Sequence, residues 1–155
     1  MTRKTLWPMA LAAVLALMIG AFLWLRVPDS GAGGDPAQRV AAGKLVYDVH
    51  CAACHGANLE GQPNWRERLP NGRLPAPPHD PTGHTWHHDD DMLFALIKRG
   101  PGPFAPPGYQ SDMPAYAGIL SDEQIRDVLA YIKSTWPAEI QARQAAITEQ
   151  TRKGR

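Results

Sequence analysis

Hydrophobic residues are concentrated at the start of the chain, where residues 6–25 (LWPMALAAVLALMIGAFLWL) contain no charged side chain. As a helix this segment would be about 30 Å long, which matches the hydrocarbon thickness of a bilayer. Tryptophans lie near both of its ends, as is common at membrane interfaces. Arg3 and Lys4 precede it, so the positive-inside rule places the amino terminus in the cytoplasm. We expect residues 1–26 to anchor the chain in a bacterial inner membrane with a single pass.

A cleaved signal sequence is the alternative interpretation of residues 1–26. It requires a shorter apolar region and small residues at the cleavage site. Residues 22–25 (FLWL) are bulky, and the small residues at positions 30–32 come late, so the anchor is favoured. Both interpretations export the rest of the chain to the periplasm. Residues 27–34 (VPDSGAGG) are typical of a flexible linker with a root-mean-square span of about 16 Å, which would keep the next domain close to the membrane.

Helical periodicity and helix-end signals predict three helices in the exported part. The first starts at an Asp-Pro pair and covers about residues 35–52, and the second covers about residues 90–99 and stops before a Gly-Pro pair. The third covers residues 121–136, with a Ser-x-x-Gln capping box at its start and apolar residues at helical spacing. Residues 138–155 are predicted to be a polar tail, with a helix allowed around residues 140–147.

Long segments rich in proline and glycine separate these helices, at residues 56–91 and 102–118. The chain has fifteen prolines and fourteen glycines, 29 of 155 residues and about twice the usual share. Loops of this length in a compact domain need a surface to pack on or a function of their own. The formal net charge of +1 argues against a nucleic-acid partner.

One motif carries specific chemistry, because Cys51-Ala-Ala-Cys54-His55 is the C-x-x-C-H attachment signature of c-type haem. Two thiols three positions apart at a helix end can each add to one vinyl group of a haem. The adjacent histidine is then held under the iron. A zinc site completed by later histidines, a thioredoxin-like dithiol and a plain disulfide are the alternatives. Export and the helix-loop-helix pattern favour one covalently bound haem c.

On these residues the chain resembles the class I, monohaem cytochrome c family. The resemblance covers about residues 35–136 and rests on the haem motif, Gly43 and Tyr47 before it, residues 111–116 (SDMPAY) and the third predicted helix. It implies an all-α fold of three main helices around one haem, in a haem domain of residues 35–137. It also implies that the first and last helices cross near Gly43, since a residue without Cβ lets two backbones approach closely. The long proline-rich stretch after the haem motif departs from small members of the family.

Met113 is the predicted second ligand of the haem iron, opposite His55. Pro114 follows it and keeps its backbone extended, and the family uses such a loop to bring a thioether sulfur to the distal face. Met92, at the start of the second predicted helix, is expected to pack in the core, and the remaining methionines fall within residues 1–26. Ligation by histidine and methionine raises the reduction potential.

Trp65 and Arg73 are candidate contacts to the haem propionates, because guanidinium and indole N–H groups are natural donors to carboxylates. Arg66, Arg68 and Trp86 share this interpretation. Each of these side chains has an alternative role as a surface charge or as an anchor of its loop. The sequence does not choose between the two roles.

Four histidines form a second cluster, at His79, His84, His87 and His88. Two interpretations of this cluster are open. In the first, the histidines form a second metal site or a bis-histidine haem; in the second, they belong to a polar loop beside the haem edge. Histidine-rich stretches bind copper or zinc. The polar loop is favoured because no carboxylate or cysteine arrangement completes a metal shell.

These features predict an electron carrier rather than an enzyme, in which a His55 and Met113 ligand set leaves no open coordination position. Its partners are expected to be redox proteins at the membrane, such as an oxidase, a dehydrogenase or a quinol-oxidising complex. One alternative is a haem subunit fixed to a membrane dehydrogenase or oxidase complex. Another is a haem sensor or peroxidase with an open sixth site.

Overall fold

Residues 34–155 are described by the computed structural model, and the predicted anchor at residues 6–25 lies outside them. The described part is all-α, as expected, and none of its helices is long and apolar enough to cross a membrane. Its helices are α1 (Pro36–His50), α2 (Ala52–His55), α3 (Asp90–Arg99), α4 (Asp122–Ser134) and α5 (Ala138–Lys153). Short 3-10 turns cover Thr85–His87 and Gly102–Phe104.

Helices α1 and α4 cross in close contact at Gly43, as the resemblance implies. A Cβ atom built on Gly43 would lie 1.9 Å from the backbone oxygen of Asp127, so only glycine fits at this crossing. Beside it, Arg39 Nε donates to Asp127 Oδ1 at 2.9 Å. Tyr47 and Val128 are fully buried next to the crossing. The pair therefore forms the centre of the domain and fixes the end of α1, where the haem motif begins.

Helices α3 and α4 start at the capping residues that the sequence predicts. Asp89 caps α3, since its carboxylate accepts from the backbone N–H groups of Asp91 and Met92. Ser121 and Gln124 form the predicted capping box at the start of α4. Buried apolar residues of α3, α4 and the loop between them pack together in one cluster, which comprises Leu93, Tyr116, Leu120, Ile125 and Leu129.

The buried residues of helix α5 are polar, and Ile140 adds an apolar contact to the core. Gln144 is fully buried, and its Nε2 donates to Asp90 Oδ1 at 2.8 Å, at the start of α3. The same nitrogen lies 3.2 Å from the carbonyl of His88. Thr148 Oγ1 accepts from the backbone N–H of Asp90 at 3.1 Å. The polar tail is thus an ordered helix that closes the amino-terminal end of α3 and lies against the Thr85–His87 turn.

The long loop between α2 and α3 is held by backbone hydrogen bonds and, apart from the Thr85–His87 turn, has no regular secondary structure. The N–H of Gly61 donates to the carbonyl of His55, and the N–H of His79 donates to the carbonyl of Leu59, both at 2.8 Å. From the other side, the indole of Trp136 donates to the carbonyl of His79 at 2.7 Å. The loop is therefore fastened to the haem motif and to the end of the α4 segment.

Candidate functional site

The two cysteines lie on one helical turn at the end of α1. Cys51 ends α1, and its carbonyl accepts from the N–H groups of Cys54 at 3.1 Å and His55 at 2.9 Å. Both thiols are free, with Cys51 half-buried and Cys54 exposed. Burial, and to a smaller degree the neighbouring Cys54, raise the pKa of the Cys51 thiol to about 11. The turn thus presents two thiols and a histidine within five consecutive residues, which fits covalent attachment of one haem.

Two tyrosine hydroxyls fix this turn at both ends. Tyr47 Oη donates to the carbonyl of Gly56 at 2.8 Å, just after the motif, and Tyr116 Oη donates to the carbonyl of His50 at 2.6 Å, just before it. Burial raises the pKa of both phenols, so they remain protonated donors. The sequence analysis did not predict these two hydrogen bonds, because a tyrosine in the sequence gives no sign of the carbonyl to which its hydroxyl donates.

His55 is buried, with 7% of its surface exposed, and its orientation is set by one hydrogen bond. Its Nδ1 lies 2.8 Å from the carbonyl oxygen of Pro77, which can only accept, so Nδ1 carries the proton. Nε2 therefore keeps its lone pair for a metal ion. Burial lowers the pKa of His55, and the Pro77 carbonyl opposes this effect. The side chain is a neutral imidazole prepared to ligate through Nε2.

Of the four histidines of the cluster, His79 is the one whose ring stacks on this imidazole. Its ring stacks on that of His55 with centroids 4.0 Å apart and an interplanar angle of 22°. Its Nδ1 is hydrogen-bonded to Thr85 Oγ1 at 2.8 Å. Burial, followed by the neighbouring His55 and His84, holds the pKa of His79 well below its usual range. The sequence could not separate His79 from the cluster, because no periodic pattern describes this loop.

The other histidines lie among aromatic side chains. His84 stacks on Trp65 at 5.3 Å and meets the ring of His88 edge-on at 5.5 Å, whereas His87 stacks on Trp86 at 3.7 Å. Burial lowers the pKa of both His84 and His88. Within residues 34–155, no group of three or more histidine, cysteine, aspartate or glutamate side chains is arranged to hold a metal ion. A second metal here stays the alternative to the polar loop that the sequence favours.

Met113 lies half-buried in the loop between α3 and α4. Its backbone N–H donates to Ser111 Oγ at 3.0 Å. The loop is fastened to α3 just after it, where the N–H of Tyr116 donates to the carbonyl of Ile97 at 3.1 Å. Met92 is also half-buried, in the first turn of α3. The assignment of Met113 as an iron ligand stays a prediction.

Among the candidate propionate contacts in residues 34–155, Arg73 is the one with a buried donor that has no hydrogen-bond partner. Its Nη1 pairs with Asp112, next to Met113, and its Nε is buried without a hydrogen-bond partner within residues 34–155. By contrast, Trp86 donates its indole N–H to the carbonyl of Pro81 at 3.3 Å. Trp65 is stacked between His84 and the guanidinium of Arg66, which lies 4.2 Å from its ring. The neutral His55, the two thiols and the unpaired Arg73 Nε together fit a covalently bound haem.

Comparison with known proteins agrees with this chemistry. Residues 40–136 match the family model described as cytochrome c. The chain is 32% identical over 101 residues to cytochrome c-555 of Prosthecochloris aestuarii, an alignment that covers 60% of this chain and 84% of that protein. It is 34% identical over 92 residues to cytochrome c6 of Leptolyngbya boryana, covering 59% and 87%.

A longer relative matches over only part of its length. The chain is 29% identical over 104 residues to the cbb3-type cytochrome c oxidase subunit FixP of Rhizobium etli, covering 63% of this chain and 32% of that protein. No solved structure matches the chain significantly.

Proposed function

Because the chain belongs to the cytochrome c family, we propose that it carries single electrons through one haem bound covalently at Cys51 and Cys54. The haem supplies a one-electron change at its iron. The observation that carries this proposal is the bond between His55 Nδ1 and the Pro77 carbonyl, which leaves Nε2 free to ligate. Since Tyr47 and Tyr116 hold the backbone on both sides of the motif, His55 keeps this geometry without rearrangement.

Met113 is proposed as the second axial ligand. Its position before Pro114, in a loop fastened to α3, supports this role. Arg73 is proposed to donate its unused Nε to a haem propionate while Asp112 balances its charge. Trp65 is proposed as a further propionate contact, supported by its position in the same loop. A closed ligand set leaves no site for oxygen or peroxide, which favours electron transfer over a sensor or peroxidase.

We propose that residues 1–26 anchor the chain in the inner membrane, with the haem domain of residues 35–137 in the periplasm. The uncharged run at residues 6–25 supports this placement. A short linker to the anchor would raise the effective concentration of the carrier near membrane oxidases, dehydrogenases or quinol-oxidising complexes. Electron-transfer contacts of this kind are usually small and transient.

A haem subunit fixed to one oxidase complex is the second candidate. The match to the oxidase subunit FixP supports it, although this chain covers only 32% of that protein. Purification from detergent extracts separates the two candidates, because a fixed subunit copurifies with its complex and a mobile carrier elutes alone.

The visible spectrum of the purified full chain tests the proposed cofactor and ligands. We expect c-type haem bands and, in the oxidised protein, the far-red band of sulfur-to-iron charge transfer. Met113→Ala should lose the far-red band, whereas the control Met92→Ala should keep it. A spectrum without c-type bands would refute the haem proposal. A far-red band that survives in Met113→Ala would refute the ligand assignment, and carbon monoxide binding by the wild type at neutral pH would favour a sensor.

A further inference from the structure

The ring of His79 lies flat against the ring of the proposed axial ligand His55. We propose that His79 is a positioning residue, whose ring fixes the plane of the His55 imidazole and keeps water from the His55–Pro77 hydrogen bond. This inference rests on the proposed role of His55 as an iron ligand. It assigns His79 to the electron-transfer site and removes it from the group formed by His84, His87 and His88.

The stacking geometry is close enough to constrain both rings. Their centroids are 4.0 Å apart and their planes differ by 22°, which is shorter than the range of about 4.5–7 Å for most aromatic pairs. His55 cannot turn about its Cβ–Cγ bond without pushing its ring into His79. The plane of the ligand ring is thus defined by two contacts, the Pro77 carbonyl at Nδ1 and the His79 ring on one face.

His79 can hold His55 because its own position is fixed on every side. Its N–H donates to the carbonyl of Leu59 at 2.8 Å, and its carbonyl accepts from the Trp136 indole at 2.7 Å. Its ring is hydrogen-bonded through Nδ1 to Thr85 Oγ1 at 2.8 Å and meets the ring of Tyr47 edge-on. These contacts come from separate parts of the domain, so the ring is held as part of the fold.

Shielding of the His55–Pro77 bond from water matters because the hydrogen bond at Nδ1 sets how strongly the imidazole donates to a metal ion. A bond that is protected from water is stronger than the same bond in contact with water. Water at this position would weaken the His55–Pro77 bond, so the imidazole would donate less electron density to the oxidised iron. Removal of the His79 ring should therefore raise the reduction potential and expose the Nδ1 proton of His55 to exchange.

The experiment compares purified holo-proteins of the wild type, His79→Ala and His79→Phe, with His87→Ala as the matched control. NMR of the holo-protein gives the solvent exchange rate of the His55 Nδ1 proton, and a redox titration gives the potential. We expect the His55 Nδ1 proton of His79→Ala to exchange at least tenfold faster than in wild type, and the reduction potential of this variant to be higher. His79→Phe restores a flat ring and should return both values toward wild type, and His87→Ala should change neither.

Unchanged exchange and potential in His79→Ala would overturn the proposal, and so would a His79→Phe protein that behaves like His79→Ala. If His79→Ala does not accumulate, His79→Leu replaces it, since leucine fills the volume without a flat face. Exchange and potential equal to wild type in His79→Leu would then overturn the proposal. A wild-type chain without c-type haem bands would instead be a failure of the proposed function, so the two failures are distinguishable.

Discussion

Replacement of Gly43 by alanine is expected to destabilise the domain more than any change on its surface. The added Cβ would lie 1.9 Å from the carbonyl oxygen and 2.4 Å from the carbonyl carbon of Asp127. Both are backbone atoms of α4, so no side chain can move aside. Since ordinary contact begins near 3.4 Å, helices α1 and α4 would have to separate by about 1.5 Å.

The magnitude follows from this separation. Overpacking of a core typically costs about 1–3 kcal/mol, and a clash between two backbones belongs at or above the upper end of that range. The better helix propensity of alanine returns about 1 kcal/mol. The Arg39–Asp127 bond and the packing of Tyr47 lie at the same crossing and are disturbed together. We expect a net loss of at least about 2 kcal/mol in the free energy of unfolding.

Urea unfolding of the oxidised holo-protein, followed by circular dichroism, measures this loss. Gly102→Ala is the matched control, because a Cβ at that position meets no atom within 4 Å. Its unfolding free energy should stay within about 0.5 kcal/mol of wild type. A Gly43→Ala protein within about 1 kcal/mol of wild type would refute the reasoning, since it would mean that the crossing relaxes at little cost.

Three further predictions concern the polar contacts of α3, α4 and α5. Gln144→Ala should lower the free energy of unfolding in urea by about 1–3 kcal/mol, because it removes the donor to the His88 carbonyl and one of the two donors to Asp90 Oδ1, which keeps Lys133. The exposed Gln150→Ala on the same helix should have almost no effect. Burial raises the pKa of Asp90, but hydrogen bonds from Lys133 and Gln144 outweigh this and lower it below 3.8. Ionised Asp90 therefore stabilises the fold above pH 3.8, and this stabilisation is lost as the pH falls through the lower pKa of the folded state. The difference in unfolding free energy between Asp90→Asn and wild type should be smaller at about pH 2 than at pH 7, and an equal difference would contradict this reasoning. Ser121→Ala removes the capping box and should cost about 1 kcal/mol, measured as a lower thermal midpoint; an unchanged midpoint would count against the cap.

Local signals were sufficient to predict the elements that position the site. Asp35, Asp89 and Ser121 mark helix starts because each offers a side-chain oxygen to backbone N–H groups at the next turn. Gly43 could be predicted as a crossing point because the resemblance supplied the partner helix. The C-x-x-C-H motif gave the thiols and the histidine directly, since its chemistry depends on consecutive residues.

Contacts across the long loop could not be predicted in the same way. Pro77 and His79 reach His55 through a segment without periodicity, and a histidine in a loop gives no sign of the side chain on which it packs. Helix α5 was also underestimated, because Gln144 and Thr148 are buried through hydrogen bonds and leave no apolar stripe in the sequence. Polar burial of this kind becomes visible only when both partners are placed in space.

The crossing of α1 and α4 also determines the order in which the domain can assemble. Gly43 and Asp127 meet at the centre of the fold, yet they are far apart along the chain. About 70 residues separate His55 from Asp127, and at common rates of synthesis they take roughly 4–14 s to make. During this time α1 has no partner at Gly43, so the crossing cannot yet hold the haem motif in place. The end of α1 that carries Cys51 is therefore fixed only late, after α4 has been made.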